Sequence, residues 1–295
     1  MSHFKGILFL IAKQKTSFCF LVLLIVLFSC KQVNNTEQKQ YDSLLMNLKY
    51  KSYKTLSENT IPPLVLLFNS TNHTDEPAVS EEVLRLLLGY SWVASGKPDY
   101  AIAENNIIQD MQAEDKDIKA LGHSLAAMAM YEKGWKDLTS DESDKANKLL
   151  NKEPAPMDAQ LKITTFHMIM GTLCIYEENY QTARFHLAWF NIISKIEWPY
   201  QLVDAMTDIK EGSLKKGLDK IDTLIDNKHF PESVQKSISD TYLKAKNTKG
   251  IVDTKLFWTN TNSFALYDEI KSADIPGIGK VMELLGKIRE KLRID

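Results

Sequence analysis

The chain has 295 residues, of which 44% are hydrophobic and 25% charged, enough apolar content for a sizeable packed core and too much for a disordered protein. Its 36 basic and 38 acidic residues give a net charge of −2, which argues against a nucleic-acid binder. Nine prolines and twelve glycines are few for this length, and the balance favours helices over a turn-rich β sandwich.

The first thirty residues have the layout of an export leader. Lys5, Lys13 and Lys15 come without an acid, the apolar run Phe18 to Phe28 follows, and Ser29-Cys30 closes it. That run is shorter than the roughly 20 residues that a membrane-spanning helix needs, so cleavage is expected rather than anchoring. Leu27-Phe28-Ser29-Cys30 resembles a lipobox, with an apolar residue three places before the cysteine and a small one just before it. It departs from the usual pattern at Phe28, which is bulkier than the common residue there, in the manner of lipoproteins of the Bacteroidota. The resemblance implies a leader over residues 1–29, lipid on Cys30 and an extracytoplasmic location, with Lys31 favouring the outer membrane. Loss of the three leader lysines against an unchanged acid count takes the net charge to about −5. Cys174 is then the one cysteine left besides the lipidated Cys30, so no internal disulfide is expected.

Residues 30–40 are polar and read as a flexible lipidated tether. Helices are expected over 41–79: one from Tyr41, with Tyr41, Leu44, Leu45 and Leu48 on a stripe, and a short one starting at Pro62-Pro63. Ser80-Glu81-Glu82 marks another helix start, ahead of Val83, Leu84, Leu87, Leu88 and Trp92. Gly96-Lys97-Pro98-Asp99 ends that helix and a further one starts at Tyr100, which makes a helical hairpin. Similar hairpins are expected around Glu132 to Trp135, Glu177 to Tyr180 and Lys210 to Leu214. Aligned on Tyr100, Trp135, Tyr180 and Leu214 they recur after 35, 45 and 34 residues, and Thr139 to Pro156 reads as a polar insertion in the longest interval.

Gly171, Tyr180 and Ala183 fall nine and then three residues apart, as do the helix A small residue, turn aromatic and helix B small residue of tetratricopeptide repeats. Tyr100 with Ala103 and Leu214 with Gly217 and Ala205 repeat parts of the pattern, with Ser91 in place of the first glycine. Residues 80–230 therefore resemble divergent tetratricopeptide units, and the resemblance implies an all-α helical-hairpin solenoid. Residues 231–295 form a C-terminal helical region, in which the amphipathic helix from Ile278 to Leu292 is expected to cap the last hairpin.

No catalytic motif stands out. The histidines outside the leader, His73, His123, His167, His186 and His229, include no pair four residues apart, so each reads as an ordinary side chain and no metal site or cofactor is expected. Asp274 to Lys280 resembles the hairpin of helix-hairpin-helix DNA-binding motifs, but an acidic, exported chain argues against nucleic acid. Aromatic residues are dense from Phe166 to Tyr200; most are expected in the core, and any that reach the surface would anchor a partner. The function expected is non-enzymatic: a membrane-tethered lipoprotein that binds a protein or peptide in a helical-repeat groove. A carbohydrate- or nutrient-binding lipoprotein of an outer-membrane uptake system is the alternative, and the binding residues themselves are not legible.

Overall fold

The structure is a computed structural model and describes residues 35–71, 78–112, 115–150, 160–225 and 278–292, with residues 235, 236, 239 and 243. The leader, Cys30, His73, His229 and the Pro276-Gly277 segment lie outside the described residues. The chain divides into two compact units, residues 1–41 and 42–295. Of the first, only the start of helix α1 (Asn35–Met46) is described; every later helix belongs to the second.

Among the described residues every regular element is a helix: α2 (Leu48–Thr71), α3 (Glu81–Ala94), α4 (Pro98–Asp110), α5 (Lys116–Glu132), α6 (Lys136–Leu149), α7 (Gln160–Tyr176), α8 (Tyr180–Ser194), α9 (Trp198–Lys210), α10 (Leu214–Ile225) and α11 (Ile278–Leu292). The fold class is all-α. Ser80 starts α3 by accepting the Val83 amide, and Asp115 starts α5 by accepting those of Asp117 and Ile118, each satisfying donors that the first turn leaves free.

Three elements differ from the sequence expectation for identifiable reasons. Helix α1 begins at Asn35, inside the stretch read as a tether, because Glu37, Gln38, Lys39 and Gln40 are good helix formers despite their polarity. Pro62 and Pro63 lie inside α2 rather than starting a helix. The buried stripe Tyr50, Tyr53, Ser57, Ile61 and Val65 runs through them at spacings of three and four, so packing of one continuous face overrides the local cost of two missing amide donors. The supposed insertion from Thr139 is mostly α6. Its buried face carries Glu142 and Ser143 beside Leu138 and Ala146, and a hydrophobic count cannot see such a stripe.

Consecutive helices pair as four hairpins, α3 with α4, α5 with α6, α7 with α8 and α9 with α10, and α4 also packs on α5 and α8 on α9. All four turns are built alike. Two successive amides in each turn return to the preceding helix: Lys97 and Gly96 to the carbonyls of Trp92 and Val93, Trp135 and Gly134 to Met130 and Tyr131, Asn179 and Glu178 to Cys174 and Ile175, Ser213 and Gly212 to Asp208 and Ile209. That is the Schellman arrangement, and it demands a left-handed residue, here Gly96, Gly134, Glu178 and Gly212 at φ of 68°, 74°, 60° and 86°.

Registering the hairpins on these residues replaces the alignment on aromatics. Gly89, not Ser91, corresponds to Gly171, and Ala101, not Ala103, corresponds to Ala183. The small residue seven places before each turn is then Gly89, Ala127, Gly171 or Ala205, and every one is buried. Five places after the turn stand Ala101, Thr139, Ala183 and Gly217. Small side chains at these two levels are what let paired helices approach closely.

Glu178 occupies a backbone position that costs a side-chain-bearing residue about 1 kcal/mol relative to glycine. Glu178→Gly is therefore expected to raise stability by somewhat less than about 1 kcal/mol, since it also gives up an exposed ion pair with Lys210. Urea denaturation of the two proteins measures the difference.

The helices α3, α5 and α7 are in mutual contact, and the Tyr90 hydroxyl lies 3.4 Å from the Thr172 hydroxyl across α3 and α7. Helix α11 buries Ile278, Val281, Leu284, Leu285 and Ile288. It packs on α2 and α3 instead of covering α10, and Arg289 sits over the Trp92 ring at 4.9 Å.

Candidate functional site

The common register exposes a feature that the sequence hides. In the first three hairpins, the residue eleven places before the turn meets the residue eight places after it, always 19 residues apart in the chain. The partners are Arg85 and Glu104, His123 and Glu142, and His167 and His186.

The first pair is a buried ion pair, Arg85 Nη1 to Glu104 Oε2 at 2.8 Å, with both side chains at or below 1% exposure. Glu104 Oε1 accepts the hydroxyls of Tyr53 (2.6 Å) and Ser57 (2.9 Å). Arg85 also donates to Ser57 and Glu81, and Trp92 Nε1 donates to the Tyr53 hydroxyl at 2.9 Å. Burial, reinforced by Glu104, raises the Tyr53 phenol well above its ordinary pKa, so it remains a donor. Every strong group in this network is spoken for, and its work is to join α2, α3 and α4.

The second pair sets His123 Nδ1 against Glu142 Oε2 at 2.7 Å. Burial alone would raise the pKa of Glu142, but hydrogen bonds from His123 and Lys145 outweigh it and hold the carboxyl below its ordinary value.

The third pair has no acid. His186 stands where Glu104 and Glu142 stand in the other hairpins, and its Nδ1 faces that of His167 at 3.1 Å. One ring donates and the other accepts, which requires the accepting ring to be neutral. Burial takes both pKa values down to about 4, helped for His167 by His186. Phe166 meets both rings edge-on, Phe185 meets His186 edge-on at 5.4 Å, and Trp189 stacks on His167 at 6.0 Å with planes 15° apart.

Outside this pair the helix is open. Phe185, Trp189 and Ile192, four and then three residues apart on α8, are 57%, 45% and 56% exposed. The other aromatics of this region, Phe166, Tyr176, Tyr180, Phe190 and Trp198, are buried, and Tyr200 is half-buried. The structure thus sorts the dense aromatic stretch into a core set and a surface set. Cys174, nearby on α7, is buried, and burial with Glu177 pushes its thiol up to about 12, far from a reactive thiolate.

A shallow depression along α10 between Gly212 and Thr223 is lined by Lys215, Lys216 and Lys220. Lys216 and Lys220 pair with Asp208 at 2.8 and 2.6 Å, and Lys220 also meets Asp204, so these two cations are already neutralised. Among the described residues no group of three or more histidines, cysteines and carboxylates converges, and no helix is long and apolar enough to cross a membrane. Gly279 and Lys280 lie in the first turn of α11.

Sequence reasoning weighed the histidines only within one helix, at a spacing of four, and so missed both the His167–His186 contact and the His123–Glu142 pair. The spacing of 19 that recurs in all three pairs was the available signal. No protein-family model, curated protein or solved structure matches the chain.

The histidine pair makes stability depend on pH. Each ring titrates near 6.5 when free and near 4 when folded, so the unfolded chain binds more protons over that interval. Their contribution is complete above about pH 6.5 and is lost as pH falls toward 4, at up to about 1.4 kcal/mol per pH unit for each ring. His186→Gln is expected to remove about half of that slope, read as the difference in urea midpoints between pH 4.5 and 6.5 for the two proteins.

Proposed function

We propose that this chain is a lipid-anchored extracytoplasmic protein, exported by a leader cut before Cys30, that binds a protein or peptide partner and performs no catalysis. The four hairpins are read as divergent tetratricopeptide-type units. Their shared turns, small-residue levels and cross-helix polar pairs support that reading. The Leu27 to Cys30 lipobox resemblance supports the anchor, with the outer membrane and its periplasmic face as the favoured site.

The observation that carries the binding role is the Phe185, Trp189 and Ile192 stripe. Three large apolar side chains aligned on one face of one helix are the kind of anchor on which binding energy concentrates. The stripe lies on α8 and gives named residues to the helical-repeat binding surface expected from sequence.

Affinity capture of the crosslinked, membrane-extracted protein from its native cells tests the reading. Wild type is expected to bring down one envelope protein in near-stoichiometric amount, and Trp189→Ala to lose it while unfolding at the same urea concentration. Equal capture by Trp189→Ala would discard the stripe, and a clean bait that instead binds oligosaccharide would favour the carbohydrate reading. Cys30→Ala is expected to abolish palmitate labelling and release the protein from membranes; labelling that persists would refute the anchor.

A further inference from the structure

The first two polar pairs each set a carboxylate against a nitrogen donor, and the third has no carboxylate. Two neutral imidazoles share a single hydrogen bond at a position where both other hairpins place a carboxylate. We propose that His167 and His186 form a two-coordinate site for a soft monovalent cation of the cuprous type.

The geometry sets the coordination number. The Nδ1 atoms are 3.1 Å apart and the ring centroids 5.3 Å apart, and the difference is close to twice the distance from an imidazole's centre to its nitrogen. The two nitrogens therefore point at each other along one line. With metal–nitrogen bonds of about 2 Å, a linear ion needs nitrogens about 4 Å apart, so the rings must separate by a little under about 1 Å. A tetrahedral ion would have to swing both lone pairs off that line toward a common point.

The surroundings set the charge. Phe166, Phe185 and Trp189 wall the pair, and among the described residues no third histidine, cysteine or carboxylate converges there to neutralise a dication. Since the cost of desolvating an ion rises with the square of its charge, a monovalent ion enters such a site far more readily. Imidazole is a good ligand for copper, and the proton on the donating Nδ1 would pass to the Nε2 of the same ring as the ion enters, leaving both Nδ1 atoms free to bind. His186, half-buried under the exposed Phe185, is the side on which an ion would arrive.

Silver(I) is the redox-inert probe. The full chain in detergent, as wild type, His167→Gln, His186→Gln and His123→Gln, is dialysed against silver nitrate and the bound metal counted by mass spectrometry. Silver held by the cysteines is common to all four proteins. One ion fewer in both His167→Gln and His186→Gln, with His123→Gln matching wild type, is the expected result; equal counts in all four would overturn the site. Should either variant fail to fold, nitrogen NMR of histidine-labelled wild type decides: silver must shift two Nδ1 resonances together, and unmoved resonances overturn the proposal. Displacement of the silver by an equal concentration of zinc(II) would overturn the monovalent assignment. None of these readouts depends on the docking stripe, so the two readings fail separately.

Discussion

Replacing Glu104 with alanine is expected to cost about 3–5 kcal/mol of folding stability, more than any other single substitution proposed for this chain. The carboxylate is wholly buried and receives three donors, from Tyr53, Ser57 and Arg85. Removing it leaves a guanidinium that is 1% exposed with only Ser57 and Glu81 for company, and the shell of protein around it prevents water from replacing the lost partner. The double variant Arg85→Met with Glu104→Leu is expected to recover most of the loss, because the cost lies in an orphaned charge rather than in the absence of the pair. Chemical denaturation of the single and double variants checks both statements. Equal destabilisation by the two would mean that the network acts through packing alone.

Gly217→Ala is expected to lose about 1–3 kcal/mol, through overpacking of the α9–α10 hairpin. A methyl group there would meet the Ala205 carbonyl oxygen at 2.7 Å and Ile209 Cγ1 at 2.4 Å. The Ile209 side chain can turn away, but the carbonyl belongs to the helix and cannot. Gly171 is the comparison, because a methyl there meets only the Cγ and Cδ2 of Leu187, both at 2.8 Å, together with ordinary contacts. Gly171→Ala is accordingly expected to cost less than Gly217→Ala in the same denaturation experiment. The reverse order would show that the third hairpin is the more tightly packed.

The sequence carried the helical class and the four hairpin turns because these are local matters. Ser80 is a recognisable start, Gly96, Gly134 and Gly212 are recognisable stops, and the α11 stripe is apolar from Ile278 to Leu292. It misled wherever a buried face was polar. Glu142 and Ser143 made α6 look like a surface insertion, although hydrogen bonds with His123 on α5 and with Glu177 in the turn after α7 are what allow them inside. The hairpin register slipped because it was anchored on aromatics, and Tyr100 stands two places later in its hairpin than Tyr180 does in its own. The turn residue is the better anchor, but Glu178 hides it, being the one of the four that is not glycine.

The candidate site was legible only as a dense aromatic stretch. Phe185 and Trp189 are the same residue types as the nearby Phe190 and Trp198, and it is the direction of α8 relative to α7 and α9 that separates surface from core. Pairing of His167 with His186 likewise needs the hairpin to close before it exists.

The placement of α11 bears on how the chain folds. A linear stack of helical pairs gains its order neighbour by neighbour, so one end can fray while the other stays intact. Here α11 rests on α2 and α3, so contacts of long sequence separation join helices that flank the hairpins in sequence. Such closure must be reached late, after most of the entropy has been surrendered, and it slows folding while making unfolding more nearly all-or-none.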